Sequence, residues 1–187
     1  METTKEMETT KESPKRKGLK SGVRTEFTVI GNVKPGHQQA LREAIKRRAA
    51  DPRRREDAKK FGTIHEARVT LIDNDTRLLF CSSFDGTWDK YIDDFAVADN
   101  AVSQSFAEFW SHVEGYPGIT DPSVKDWLTA HQYEATAYDS SYPEPTVKQI
   151  WKALELQHAF QQVLDNPEAE QALQHPALKP LLDLAAT

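Results

Sequence analysis

Apolar and polar positions alternate with period two in three stretches of the chain, which predicts β-strands. The first stretch is RTEFTVIGNV (residues 24–33), where Phe27, Val29 and Val33 share one face. The second and third are TIHEARVTLI (63–72) and LLFCSSF (78–84), joined by NDTR, a tight turn typical of antiparallel neighbours. A fourth strand is predicted at YEATAY (133–138).

Other stretches place apolar residues at helical spacing. One helix is predicted from Gln38 to the residues before Pro52. A second starts near Gly86, because four apolar residues follow at i, i+3, i+4 and i+7: Trp88, Tyr91, Ile92 and Phe95. Further helices are predicted at about 101–113, at 123–131, where Ser123 and Asp126 resemble a capping box, and from Thr146 to Asn166, where Thr146 and Gln149 open the helix.

This element order predicts an α+β fold. Strand, helix, two strands, helices, strand and helix is the split β-α-β pattern of ferredoxin-like folds, in which helices cover one face of a four-stranded antiparallel sheet. Strands two and three carry apolar residues on both faces, so the second face needs a cover, and a homodimer formed through the sheets would supply it. We predict a flexible tail at 1–22, the sheet domain at 23–166 and a C-terminal helical extension at 167–187.

Charge and composition narrow the function classes. Residues 1–62 hold 17 Lys and Arg against 9 Asp and Glu, whereas residues 63–187 hold 7 against 20. The basic excess is densest at 46–60, but no aromatic residue interleaves with it to stack on bases, so a solvated helix end is favoured over nucleic-acid binding. The chain lacks a membrane-spanning apolar run and a secretory signal, and its single Cys81 lies in an apolar strand; these features predict a soluble, cytoplasmic protein.

Three short motifs carry a resemblance to a known superfamily. They are GTIHEAR (62–68), FDG (84–86) and HVEGYP (112–117). With these motifs the chain resembles the dimeric α+β barrel superfamily, and within it a set of bacterial peroxidase-like proteins of uncertain activity. The resemblance covers roughly residues 27–165 and implies two ferredoxin-like sheets that form a barrel. Relatives on this fold include haem enzymes, cofactor-free monooxygenases and non-catalytic proteins, and the fold alone does not choose among them.

Three residues are candidates for catalysis. SSFDGT resembles a motif of dye-decolourising peroxidases in which an aspartate works over haem, although Ser82 replaces its first glycine; Asp85 would take that role, and helix capping is the alternative. His65 shares a face with apolar strand residues, where it could accept a proton, ligate iron or be a core histidine. Arg68 points to the opposite face. The alternative to a catalytic role for Arg68 is a charge at the sheet edge or at an interface.

Four residues are candidates for cofactor contacts. His112 lies one turn beyond Glu108 on a helix, so it either pairs with that carboxylate or turns inward as a haem ligand. His158 follows Leu154 by four positions on the long helix and could face a pocket. Trp88 and Tyr116 complete the set. The alternative for the aromatic residues is an ordinary core, and no metal-binding spacing such as HExxH or CxxC is present.

The resemblance, together with these candidate residues, implies an oxidoreductase of the monooxygenase or peroxidase type. It would bind haem or a small hydrophobic ligand in a pocket between the sheet and the helices, where this superfamily generally binds its ligands. The alternative is a non-catalytic small-molecule-binding or interaction protein of the same fold.

Overall fold

A computed structural model describes residues 18–97 and 101–186. The chain forms two compact units, one within residues 1–144 and one within 145–187. The predicted domain limits, 23–166 and 167–187, differ from these units, because the long helix that follows Thr146 belongs to the second one.

The first unit contains a four-stranded antiparallel sheet, as the sequence predicts. Its strands are β1 (Lys20–Ser21), β2 (Arg24–Asn32), β3 (Ile64–Ile72) and β4 (Arg77–Asp85), in the order β1-β2-β4-β3. The predicted hairpin joins β3 to β4, and its turn places Asp73, Asn74 and Asp75 at positive φ, a conformation that Asn and Asp tolerate better than most residues. This layout is compatible with a ferredoxin-like fold.

The prediction of the fourth strand is wrong. Residues 133–138 form no strand; the segment touches β2 through a single bridge between Gln132 and Val29. The strand that does pair with this edge is β1, which lies inside the segment predicted as a flexible tail. Two short segments therefore share the outer edge of β2, and the buried Glu26 binds both, since its Oε1 accepts hydrogen bonds from the Leu19 and Ala135 N–H groups at 3.4 and 3.1 Å.

The described residues of the first unit also form five helices, two between β2 and β3 and three after β4. They are α1 (Gln38–Ala50), α2 (Arg54–Phe61), α3 (Trp88–Val97), α4 (Ala101–Ser111) and α5 (Val124–His131). The sequence predicts all of them except α2, which begins two residues after Pro52. Asp51 prepares this start, because its carboxylate accepts the Arg53 N–H at 2.9 Å. The predicted capping box of α5 is wrong: the Ser123 side chain makes no capping bond, and its hydroxyl donates to Asp121.

The two faces of the sheet have different surroundings. One face carries the apolar residues of β2 and β4, which pack with α1, α3, α4 and α5 into a single core, and the predicted stripe of α3 is buried there. Aromatic rings dominate this core; Tyr91 stacks on Phe84 with centroids 3.8 Å apart, and its hydroxyl donates to Ser82. The opposite face carries Glu26, Thr28 and Cys81, together with half-buried Ile30 and Leu79.

The second unit is helical. It contains α6 (Val147–Leu164), α7 (Glu170–Leu173) and α8 (Lys179–Ala185), with single 3₁₀ turns at Pro167–Ala169 and Pro176–Leu178. Helix α6 begins after Thr146, as predicted, and Thr146 and Gln149 form a capping box there, since they exchange side-chain and backbone hydrogen bonds. Across the residues that the structure describes, no helix is both long and apolar enough to cross a membrane.

Candidate functional site

His65 is the extra residue of a β-bulge in β3. Ile64 pairs with Phe84 and Glu66 pairs with Ser83, so two steps along β3 correspond to one step along β4. Such a bulge leaves its extra residue unpaired and disrupts the ladder locally. Period-two alternation correctly places His65 on the same wall as Ala67 and Val69, but it gives no sign of the bulge.

The bulge brings His65 to the end of β4, where it meets Asp85. The Nε2 atom of His65 lies 2.8 Å from Oδ1 of Asp85, and the two side chains are only 5% and 11% exposed. A carboxylate accepts a hydrogen bond, so this contact favours the tautomer with the proton on Nε2 and leaves a lone pair on Nδ1. The arrangement is a carboxylate-oriented imidazole, the partner set of a general base.

Thr87 provides a capping bond at the start of α3. Its Oγ1 accepts the Lys90 N–H at 3.4 Å, which is the bond expected of an N-cap side chain. Asp85 lies two residues earlier, at the last position of β4, and directs Oδ1 to His65. The sequence analysis considered a capping role for Asp85, and Thr87 is a second side chain that can fill this role.

A cavity of about 460 Å³ lies between the sheet and the helices, with His65 in its wall. Its volume falls in the range of sites for small molecules, roughly 300–1,000 Å³. Most of its lining is apolar and comes from α1, α3, α4, β3 and β4: Ile45, Ile64, Val69, Phe80, Phe95, Val102, Phe106 and Phe109. The predicted location of a pocket, between sheet and helices, agrees with this cavity.

Three arginines also line this cavity, and the sequence analysis did not connect them with a site. Arg48 comes from α1, whereas Arg54 and Arg55 come from the first turn of α2. They belong to the basic run at 46–60. Its high density of Lys and Arg was the feature of the sequence that could have indicated a role in a site. Its place beside a hydrophobic cavity depends on α2, the helix that the sequence did not predict.

Arg68 lies on the other side of the sheet. It is exposed, its register partner is Cys81, and its Nη2 is 3.7 Å from the Cys81 sulfur. With Glu26 and Thr28 it lines a second, more polar cavity of about 570 Å³ on the face opposite the helices. The prediction that Arg68 and His65 face opposite sides of the sheet agrees with these positions, and the structure does not bring Arg68 to the His65–Asp85 pair.

His112 pairs with another histidine rather than with a cofactor pocket. Its Nδ1 lies 3.0 Å from Nδ1 of His37, at the junction of α4 and the loop before α1. Glu108, its predicted partner, forms an ion pair with Arg47 at 2.6 Å. Partial burial is the largest cause that lowers the pKa of His112, followed by the charge of His37, while Glu108 opposes the shift.

The other three predicted cofactor contacts are also separate from the cavity lining. Trp88 is a core residue whose Nε1 donates to Gln132 at 2.7 Å. Tyr116 packs beside Trp110 and Trp127, and burial raises the pKa of its phenol. His158 is exposed on α6 in the second unit.

The positions of the histidines determine which of them could ligate a haem in the cavity. Within the described part of the chain, His65 is the one imidazole in the cavity wall, and its Nε2 is bonded to Asp85. No group of three or more His, Cys, Asp or Glu among the described residues could hold a metal ion. A haem is held by one axial imidazole rather than by such a group, so haem binding stays a prediction from the resemblance alone.

Comparison with known proteins adds no family to this picture. No family model matches the chain, and no curated protein matches it either. The site must therefore be interpreted from its own geometry.

Proposed function

We propose that the chain binds a small hydrophobic molecule in the cavity between sheet and helices, and that the His65–Asp85 pair removes a proton from it. One observation carries this proposal: an imidazole bonded to a carboxylate lies in the wall of an apolar cavity of about 460 Å³. An apolar wall supplies affinity, and an oriented imidazole supplies a proton acceptor.

The proposed chemistry begins with proton transfer from an acidic C–H or O–H bond of the ligand to His65. The imidazolium that forms keeps its bond to Asp85, whose negative charge stabilises the new positive charge. In the cofactor-free oxidoreductase form of the proposal, dioxygen is the oxidant. The ligand anion forms a carbon–oxygen bond to dioxygen, and the resulting hydroperoxide anion takes the proton back from His65.

Hydrogen exchange of a probe ketone tests the proton-transfer step without knowledge of the natural ligand. The probe 2-tetralone is apolar and has acidic C–H bonds beside its carbonyl group, so its exchange in D₂O can be followed by proton NMR. We expect the protein to accelerate exchange over buffer, and His65→Gln to reduce that acceleration by about 100-fold or more. His175→Gln, which changes an exposed histidine of the second unit, is the matched control.

Binding of the probe is measured separately by chemical-shift perturbation. Ala58→Phe places a ring in the cavity and should abolish binding, whereas Ala40→Phe on the exposed side of α1 should not. Binding without accelerated exchange would favour the non-catalytic alternative, a small-molecule-binding protein of the same fold. Failure of the unmodified protein to bind the probe at all, or equal exchange with His65→Gln, would count against the proposal.

We also propose that two copies associate through the sheet face opposite the helices, as in a dimeric α+β barrel. Ile30 and Leu79 are direct register partners on that face, and Thr70 is the partner of Leu79 on the other side. All three are half-buried in the single chain, and Ile30 and Leu79 form an apolar pair near the centre of this face. Sedimentation velocity should give a dimer for the unmodified protein and a monomer for Leu79→Glu. A concentration-independent monomer for both would contradict this proposal.

A further inference from the structure

The cavity that contains His65 has an uneven distribution of charge. Positive side chains come from the α1 and α2 side of the cavity, namely Arg48, Arg54 and Arg55. One carboxylate, Glu66, lines the cavity from β3 and makes no bond to any of the three. The cationic and apolar parts of the lining thus meet in one site.

The three arginines differ in whether their guanidinium N–H groups already have a partner within the protein. Arg48 is mostly buried, and its Nη1 lies 3.5 Å from Asp57 and 3.8 Å from Asp51. Arg54 and Arg55 are exposed and have no hydrogen-bond or ion-pair partner among the described residues. Their guanidinium groups therefore keep their donors for a ligand, and guanidinium binds carboxylate in a two-pronged geometry.

The apolar part of the cavity is aromatic. Four phenylalanine rings line it from three different elements: Phe80, Phe95, Phe106 and Phe109. Two of them already stack on each other, since the Phe95 and Phe106 centroids are 4.2 Å apart with an interplanar angle of 27°. A planar ring gains both buried area and favourable ring contacts in such a pocket.

We propose that the ligand of this cavity is an aromatic carboxylate whose ring lies among the phenylalanines and whose carboxylate binds Arg54 and Arg55. This inference rests on the proposed function, since it names the chemical class that the same cavity accepts. The charged group binds at the α2 side, and the ring extends toward the β3 wall where His65 lies. The arginines thus determine which end of the ligand enters the cavity.

A matched pair of ligands tests the inference directly. The probes are 2-naphthoate and 2-naphthalenemethanol, which share a ring system and differ in the negative charge. We expect the unmodified protein to bind naphthoate more tightly, and Arg54→Gln/Arg55→Gln to weaken naphthoate by about tenfold or more, the effect of one lost charge-assisted hydrogen bond. The same double variant should bind the neutral alcohol as before.

Two further variants act as controls. One should leave naphthoate binding nearly unchanged, and the other should strengthen it. Arg53→Gln removes the same charge from the adjacent position, but Arg53 is bonded to Asp51 and does not line the cavity, so its effect should be within about twofold, as expected of a screened surface charge. Glu66→Gln removes the opposing carboxylate and should strengthen naphthoate binding.

The outcomes separate this inference from the proposed function. Binding of the alcohol without any preference for naphthoate would overturn the carboxylate inference and leave the hydrophobic site standing. An equal loss on Arg53→Gln and on the double variant would also overturn it, because the effect would then be general electrostatic attraction. If neither ligand binds the unmodified protein, both the inference and the proposed function fail.

Discussion

His65 and Asp85, twenty positions apart in the chain, are joined by a 2.8 Å contact between Nε2 and Oδ1 at the edge of the core. A β-bulge on one strand and the last residue of its neighbour create this contact. Both side chains are mostly buried, so removal of either one breaks a hydrogen bond that is shielded from water.

We expect a double-mutant cycle to measure this coupling. Asp85→Ala and His65→Ala should each lower the free energy of unfolding by about 1–3 kcal/mol, because each leaves a partner without its hydrogen bond. The double variant should lose less than the sum of the two, with a coupling of about 0.5–3 kcal/mol. Chemical denaturation provides the values. Strictly additive losses would mean that the contact contributes nothing to stability.

Asp85→Asn refines this result, because the amide keeps an oxygen that can accept from Nε2. Its loss of stability should be smaller than that of Asp85→Ala. An Asn variant as unstable as the Ala variant would show that the negative charge itself is needed for folding.

Glu26 should be more important for stability than the exposed Glu66 of edge strand β3, which borders the cavities on both sides of the sheet. Its Oε1 accepts from the Leu19 and Ala135 N–H groups and its Oε2 from the Thr28 hydroxyl, so Glu26→Ala removes the acceptor of all three donors. We expect Glu26→Ala to cost about 1–3 kcal/mol in chemical denaturation. Glu66→Ala, at an exposed position of β3, should stay within about 0.5 kcal/mol. Equal effects of the two changes would refute this assignment.

Gly31 is required by close packing between β2 and the end of α4. A Cβ atom at this position would lie 2.4 Å from Cγ1 of Val113, well inside van der Waals contact. Gly31→Ala should therefore lower the free energy of unfolding by about 1–3 kcal/mol. Val113→Ala removes the opposing methyl group, so the double variant should be more stable than the sum of the single changes predicts. Thermal or chemical denaturation of the four proteins decides the matter.

Partial burial of His112, and second to it the charge of His37, makes stability depend on pH. The folded state lowers the pKa of His112, so between that value and the unfolded value of about 6.5 the unfolded chain binds more protons. Stability is therefore unaffected above this window and falls as the pH decreases through it. We expect denaturation midpoints of the unmodified protein to fall between pH 7.5 and 5, and those of His112→Gln to fall less. Parallel pH curves for the two proteins would contradict this.

The sequence predicts the fold where a single local pattern dominates. The buried stripe of α3 and the β3–β4 hairpin follow from periodicity and turn residues, and both are confirmed. Residues 133–138 have the alternating pattern of a strand but form none. The edge of β2 that they would pair with is already bonded to β1 over part of its length. A two-residue strand such as β1 has no periodic signal to detect.

The site was predictable only in part. His65 and Asp85 were singled out separately, for the face of a strand and for a short motif, but their contact depends on the bulge, which leaves no mark in the pattern of polar and apolar residues. Arg54 and Arg55 were recognised in the sequence as part of a basic run. Charge alone, however, does not distinguish a solvated helix end from one that borders a cavity. Positions of this kind depend on tertiary packing.

The bulge at His65 also suggests how such a site can arise. Ile64 and Glu66 keep consecutive partners on β4, so His65 occupies a position that the ladder does not need. Insertion of one residue into a regular strand normally reverses the faces of all residues on one side of it, but a bulge absorbs the change. One extra residue is therefore sufficient to place an imidazole in the cavity wall while the strand pairs on both sides of it are retained.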